Sequence, residues 1–109
     1  VELGERFAGW GVPTPDSIRA LRSIPGITVI GSGGVRHGID VAKAIALGAD
    51  LVGIALPFLR AARESSIAVA ELATRVIREV KIRMFCLGVK TLPELRDVPI
   101  SRTSQGSVE

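Results

Sequence analysis

Two short apolar runs, Ile27-Thr28-Val29-Ile30 and Leu51-Val52-Gly53-Ile54-Ala55, flank a stretch of helical periodicity, and this order constrains the fold more than any other feature. Each run is too short for a stable helix, is rich in β-branched residues and is bounded by glycine or proline. Both therefore read as strands buried on both faces. A strand, a helix and a second strand in that order form a parallel βαβ unit with a right-handed crossover. The chain is thus expected to be α/β. Two strands cannot make a sheet covered on both faces, so the reading requires neighbouring strands. The chain starts Val1-Glu2 with no initiator Met, so either its start was processed away or sequence is missing upstream, and the neighbouring strands are expected from another chain or from that missing sequence.

Local signals place the other elements. Residues Val1 to Val12 hold three glycines and no sustained period, and read as a loop. Pro13-Thr14-Pro15-Asp16 starts a helix that Thr14 or Asp16 caps, since proline is tolerated in a first turn. Ile18, Leu21 and Ile24 form its apolar side, and Pro25-Gly26 ends it. The crossover helix is expected from Gly38 to Leu47, with Asp40 in its first turn, where the positive helix end favours a carboxylate, and Gly48 as its C-cap. Pro57 is read as the end of the second strand. A long helix follows from about Glu64 to Leu87. Its apolar stripe is Val69, Ala73, Val76, Val80, Met84 and Leu87, and Glu71 with Arg75 and Glu79 with Arg83 form i,i+4 pairs. Gly88 stops that helix. Thr91 to Arg96 forms a last short one, capped by Thr91 with Glu94 at its third position. Residues 1–100 are read as one structural unit, and Ser101 to Glu109 as a polar, flexible tail.

Composition excludes several classes of function. The chain of 109 residues is 47% hydrophobic and 23% charged, which suits a packed core. A net charge of +3, spread along helices beside acidic residues, is no nucleic-acid footprint. No apolar run approaches the roughly 20 residues that cross a bilayer, so no membrane partner is expected and the protein is read as cytoplasmic. The single Cys86 rules out an internal disulfide and a Cys-rich metal site, and it is read as buried packing.

The chemistry concentrates at Gly31-Ser32-Gly33-Gly34-Val35-Arg36, between the first strand and the crossover helix. Glycines let backbone N–H groups approach an anion closely, the helix starting near Gly38 adds a positive end, and Arg36 offers a planar fork of donors. The second strand ends beside this loop at Ile54-Ala55-Leu56-Pro57. (β/α)₈ barrels often build a phosphate site from the loops after strands 7 and 8, with help from a short helix. The motif is neither a P-loop nor a dinucleotide fingerprint, because the required Gly-Lys-Ser/Thr and GxGxxG spacings are absent. A tight βα turn with no ligand remains an alternative. Ser32 either contacts the ligand or stabilises the turn. His37 is a donor to it or a solvated residue at a helix start. Asp40 either holds Arg36 or serves only the helix end. Trp10 covers a pocket rim or anchors its loop. The catalytic set is empty: the only histidine is His37, and no pair of carboxylates is spaced for acid–base work.

Four blocks resemble the C-terminal part of the type 2, flavin-dependent isopentenyl-diphosphate isomerases. They are Phe7-Ala8-Gly9-Trp10-Gly11-Val12-Pro13-Thr14; Ser32 to Arg36 with Asp40 to Ala49; Val52 to Leu59; and Lys81 to Lys90 with Glu94-Leu95-Arg96. The second block is common to flavin oxidoreductase barrels, whereas the first and last are more specific. The resemblance implies the C-terminal portion of a (β/α)₈ TIM barrel, containing strands 7 and 8 with their helices. It implies FMN as cofactor, with Ser32, Gly33, Gly34 and Arg36 at its phosphate after strand 7, and backbone N–H groups of Ala55 and Leu56 after strand 8. Leu56 stands where the family often has glycine. The implied parent interconverts isopentenyl and dimethylallyl diphosphate on a reduced flavin acting as acid and base near N5. NADPH supplies the electrons, Mg²⁺ neutralises the substrate diphosphate, and the assembly is a homotetramer or octamer. The family's histidine, glutamine and metal-binding glutamate fall before Val1, so this chain alone is expected to be inactive. The alternatives are an FMN-dependent 2-hydroxy-acid oxidase or dehydrogenase, and a non-enzymatic barrel fragment.

Overall fold

The computed structural model describes residues 2–99, and the expected tail from Ser101 to Glu109 lies outside them. The elements in chain order are α1 (Glu2–Arg6), α2 (Thr14–Arg22), β1 (Ile30–Gly31), α3 (Gly38–Leu47), β2 (Leu51–Val52), α4 (Leu56–Glu64), α5 (Ser66–Leu87) and α6 (Leu92–Arg96). The strands are parallel, with Ile30 opposite Leu51 and Gly31 opposite Val52. The α/β class and the parallel βαβ unit are therefore as expected. The described residues form two strands and no closed barrel, and none of their helices is long and apolar enough to cross a membrane.

The core is built around α3. On one side Ala44 and Leu47 pack with Ile18 of α2, Val29 and Ala49. On another, Ala42, Ile45 and Ala46 surround Leu95 of α6, with Val52, Met84 and Val89 closing the cluster. Helix α3 is thus apolar around most of its circumference, as a helix in the middle of a layer must be. The strands differ from the reading. They are shorter, and Ile30 and Leu51, partners across the ladder, are 63% and 59% exposed. One face of the pair packs on the helices, and no layer covers the other among the described residues.

Four other expectations need correction. The first segment contains the short helix α1, and Trp10, 78% exposed, packs only edge-on against Phe7 at 5.2 Å rather than anchoring its loop in the core. The N-cap position of α2 is Pro13, which makes no side-chain cap hydrogen bond, so neither Thr14 nor Asp16 is the N-cap residue. The segment 56–64 is a separate helix, α4, with Pro57 in its first turn rather than closing a strand, and Ser65 then caps α5 by accepting from Ala68 N–H at 3.0 Å. Cys86 is exposed. It lies two residues beyond Met84, about 200° round the helix at 3.6 residues per turn, and so faces away from the half-buried stripe that contains Ala73, Val76, Val80 and Met84. Gly48 and Gly88 end α3 and α5 as expected, and Thr91 caps α6 by accepting from Glu94 N–H.

Arg22, on the last turn of α2, ties three helices together. Its guanidinium donates to the carbonyls of Ala46 (3.3 Å) and Leu47 (3.4 Å) at the end of α3, and to that of Arg96 (3.1 Å) at the end of α6. Arg96 in turn pairs with Asp50 at 2.9 Å, and Asp50 accepts from Val29 N–H at 2.8 Å just before β1. Orphan carbonyls at helix ends are satisfied here by cations, which the helix dipole also favours. Replacing Arg22 with Ala removes these charged donors, each partly solvated. The expected loss is about 1–2 kcal/mol, read as a lower denaturant midpoint of the full-length protein with an unchanged slope.

Candidate functional site

Parallel pairing puts the loop after β1 and the end of β2 at the same edge. Gly53 N–H donates to the Gly31 carbonyl at 2.8 Å, so the chain leaving β2 runs beside Ser32. All six residues singled out from the sequence, Ser32, Gly33, Gly34, Arg36, Ala55 and Leu56, are exposed, and all follow the carboxyl ends of the two strands.

The loop owes its shape to two glycines. Gly33 and Gly34 have φ of +101° and +73°, values that side-chain-bearing residues rarely adopt. Consecutive N–H groups around such a turn make an anion-binding concavity. Among the described residues no acceptor meets the N–H groups of Gly33, Gly34 or Val35. The carbonyls behind the turn are held by Thr14, whose hydroxyl lies 3.0 Å from the Gly33 oxygen and 3.3 Å from that of Ser32. Thr14 thus supports the loop instead of capping its own helix. The sequence signal for this, a threonine directly after proline, fits a cap equally well.

The beginning of α3 contributes less than its position suggests. Gly38 N–H donates to Glu79 Oε1 of α5 at 3.0 Å, and Asp40 N–H approaches His37 Nδ1 at 3.4 Å. These groups already satisfy orphan donors that an anion would otherwise use. His37 therefore acts as the N-cap of α3. Glu79 makes this contact rather than the expected pair with Arg83, and no ion pair joins Glu71 to Arg75 among the described residues. An exposed i,i+4 pair is worth about 0.3–0.5 kcal/mol, whereas a carboxylate on a part-buried N–H contributes about 1.5–3 kcal/mol, so the helix end wins.

Helix α4 is the open end. Its N-cap, Ala55, has no side chain to cap it, and its first hydrogen bond runs from Leu59 N–H to the Ala55 carbonyl at 2.9 Å. The N–H groups of Leu56 and Phe58 precede that bond and have no acceptor among the described residues, while Pro57 carries none. This is a nine-residue helix with an unsatisfied positive end, at the strand edge where the glycine loop lies. The sequence reading placed Ala55 and Leu56 there but missed the helix. The available signal was Pro57, which marks a helix start as readily as a strand end.

Arg36 supplies the side-chain cation. It is 73% exposed, and its Nε lies 3.6 Å from Asp40 Oδ2, leaving its two terminal nitrogens without a partner among the described residues. A cleft of about 120 Å³ between α2, α3 and the loop is lined by aliphatic residues such as Ile18, Val35, Ala44 and Leu47, together with Gly33, Gly34 and the charged residues Asp40 and Lys43. The candidate donors to an anion are the open N–H groups of the loop and of α4, together with Arg36. Among the described residues no group of three or more His, Cys, Asp or Glu could hold a metal ion.

Residues 13–102 match the family model described as FMN-dependent dehydrogenase. Relatives named isopentenyl-diphosphate delta-isomerase include one from Nostoc sp., 50% identical over 95 residues, covering 86% of this chain and 27% of the relative. The one from Sulfurisphaera tokodaii is 50% identical over 100 residues, covering 91% and 27%. The one from Methanothrix thermoacetophila is 47% identical over 104 residues, covering 95% and 29%. The chain thus spans little more than a quarter of the length of these relatives.

Proposed function

We propose that this chain, which belongs to the FMN-dependent dehydrogenase family, forms the phosphate-gripping part of a type 2 isopentenyl-diphosphate isomerase. The observation that carries the reading is that open N–H donors of the Gly33-Gly34 turn and of the start of α4 both follow the carboxyl ends of the paired strands, with Arg36 in the same loop as the glycines. A short helix contributing its N-terminus to a phosphate site after strands 7 and 8 is a recurrent barrel arrangement, and in this reading β1 and β2 correspond to those strands. The relatives from Nostoc sp. and Sulfurisphaera tokodaii, each 50% identical and named as isomerases, favour that activity over those of other flavin barrels.

In this reading Gly33, Gly34 and Leu56 bind the FMN phosphate through backbone N–H groups, and Arg36 binds it with its terminal nitrogens. Ser32 and Ala55 border the same group. Leu56 is 52% exposed, and its N–H meets no acceptor among the described residues. Thr14 keeps the loop carbonyls turned back so that the amides face the phosphate. Once bound and reduced, the flavin supplies the proton donor and acceptor for the allylic shift between isopentenyl and dimethylallyl diphosphate. Residues of this chain orient that cofactor and do no proton transfer themselves. NADPH as reductant, Mg²⁺ on the substrate diphosphate and a homo-oligomeric assembly belong to the whole enzyme.

The test is flavin selectivity in the full-length apoprotein. FMN is expected to bind far more tightly than riboflavin, which lacks the phosphate. Arg36→Ala is expected to weaken FMN by about 10- to 100-fold, the equivalent of one charged bidentate contact, and to leave riboflavin unchanged. Equal affinity of the wild type for the two flavins would contradict the reading.

A further inference from the structure

We infer that Asp40 is a positioning residue that aims Arg36 at the flavin phosphate, an inference that rests on the phosphate reading above. One carboxylate oxygen of Asp40 makes three approaches. It accepts the backbone N–H of Arg36 at 3.1 Å, lies 3.6 Å from Nε of the same residue, and lies 3.7 Å from His37 Nε2. A single oxygen therefore fixes both the main chain and the side chain of Arg36. Contact through Nε occupies one side of the guanidinium and turns the pair of terminal nitrogens outward, the edge that binds phosphate bidentately.

Electrostatics make this arrangement diagnostic. A carboxylate near a phosphate dianion repels it, so Asp40 by charge alone opposes binding. Its side chain is 18% exposed, against 73% for Arg36, so solvent screens that repulsion incompletely. The needs of the α3 terminus do not explain the contact to Arg36, because Glu79 and His37 already serve Gly38 and Asp40 N–H there. What the carboxylate does is hold a long, exposed side chain that would otherwise sample many rotamers, and so reduce the ordering that binding requires.

The two roles predict opposite signs for Asp40→Asn in the full-length apoprotein. The amide oxygen can still accept from Arg36 N–H, which preserves the loop, but the charge that holds the guanidinium is lost. Positioning predicts that FMN binds about 5- to 10-fold more weakly, as expected when a charge-assisted contact becomes neutral, with riboflavin affinity unchanged. In an Arg36→Ala background only the repulsion remains, and the same substitution is expected to tighten FMN slightly. Unchanged or tighter FMN binding by Asp40→Asn alone would overturn the inference. So would an equal loss in the Arg36→Ala background, or an equal loss for riboflavin, since each places the effect in the fold. If the wild type does not prefer FMN to riboflavin, the phosphate reading itself fails, an outcome separate from these.

Discussion

Gly38→Ala is expected to destabilise the protein by about 2–5 kcal/mol. A Cβ at this position would lie 2.4 Å from the Glu79 Cβ, 2.5 Å from the Val76 carbonyl oxygen and 3.1 Å from Val80 N. These atoms belong to the core of α5 rather than to the tip of a flexible side chain, so the two helices must part. Overpacking of this kind costs about 1–3 kcal/mol. Separation also breaks the hydrogen bond from Gly38 N–H to Glu79, leaving a part-buried carboxylate short of a partner, at about 1.5–3 kcal/mol. Against this, alanine gains about 0.5–1 kcal/mol of helix preference over glycine, which does not reverse the balance. Chemical denaturation of the full-length protein measures the effect. Gly4→Ala, where an added Cβ meets nothing within 4 Å, is the control and should change stability little. A Gly38→Ala loss under 1 kcal/mol would show that α3 and α5 are not packed as described.

The double substitution Gly33→Ala with Gly34→Ala is expected to weaken FMN binding at least about 100-fold while stability changes modestly. Each residue sits at a φ that costs an L-residue about 1–3 kcal/mol, and a Cβ on Gly33 would also meet the Thr14 hydroxyl at 3.0 Å. The loop is exposed and relieves this strain by adopting another conformation. Because that relaxed loop no longer converges its N–H groups, FMN must first restore the strained form, and apparent affinity falls by the fraction of competent molecules. Riboflavin should lose far less. Comparable losses for both flavins would mean that the loop supports the ring system rather than the phosphate.

The parts of the fold that were legible in the sequence were those with local punctuation. Helix α3 was read to the residue because its apolar positions run between two glycines. Gly88 and Thr91 marked their helix ends by residue type alone. The misreadings share a different cause, because each depended on a neighbour that no local signal names. Thr14 resembles a cap and instead bonds a loop eighteen residues away. Glu79 looks like half of a surface pair and instead reaches across to Gly38. Helix α4 was lost because the apolar run Leu51 to Leu59 passes from strand to helix with only Pro57 to mark the change. Of the six candidate residues, Ser32, Gly33, Gly34 and Arg36 stood out through the glycines and the following arginine, and Ala55 and Leu56 through the end of the second apolar run. The partial closure of the α3 terminus by Glu79 was invisible, being a tertiary contact.

Turnover by the full-length protein tests the central claim most directly. Loaded with FMN and supplied with NADPH and Mg²⁺ in the absence of oxygen, it is expected to convert isopentenyl diphosphate to dimethylallyl diphosphate, and to do so only while the flavin is reduced. A folded, flavin-loaded preparation that gives no such conversion, and instead oxidises a 2-hydroxy acid, would contradict the account and assign the same phosphate grip to an oxidase.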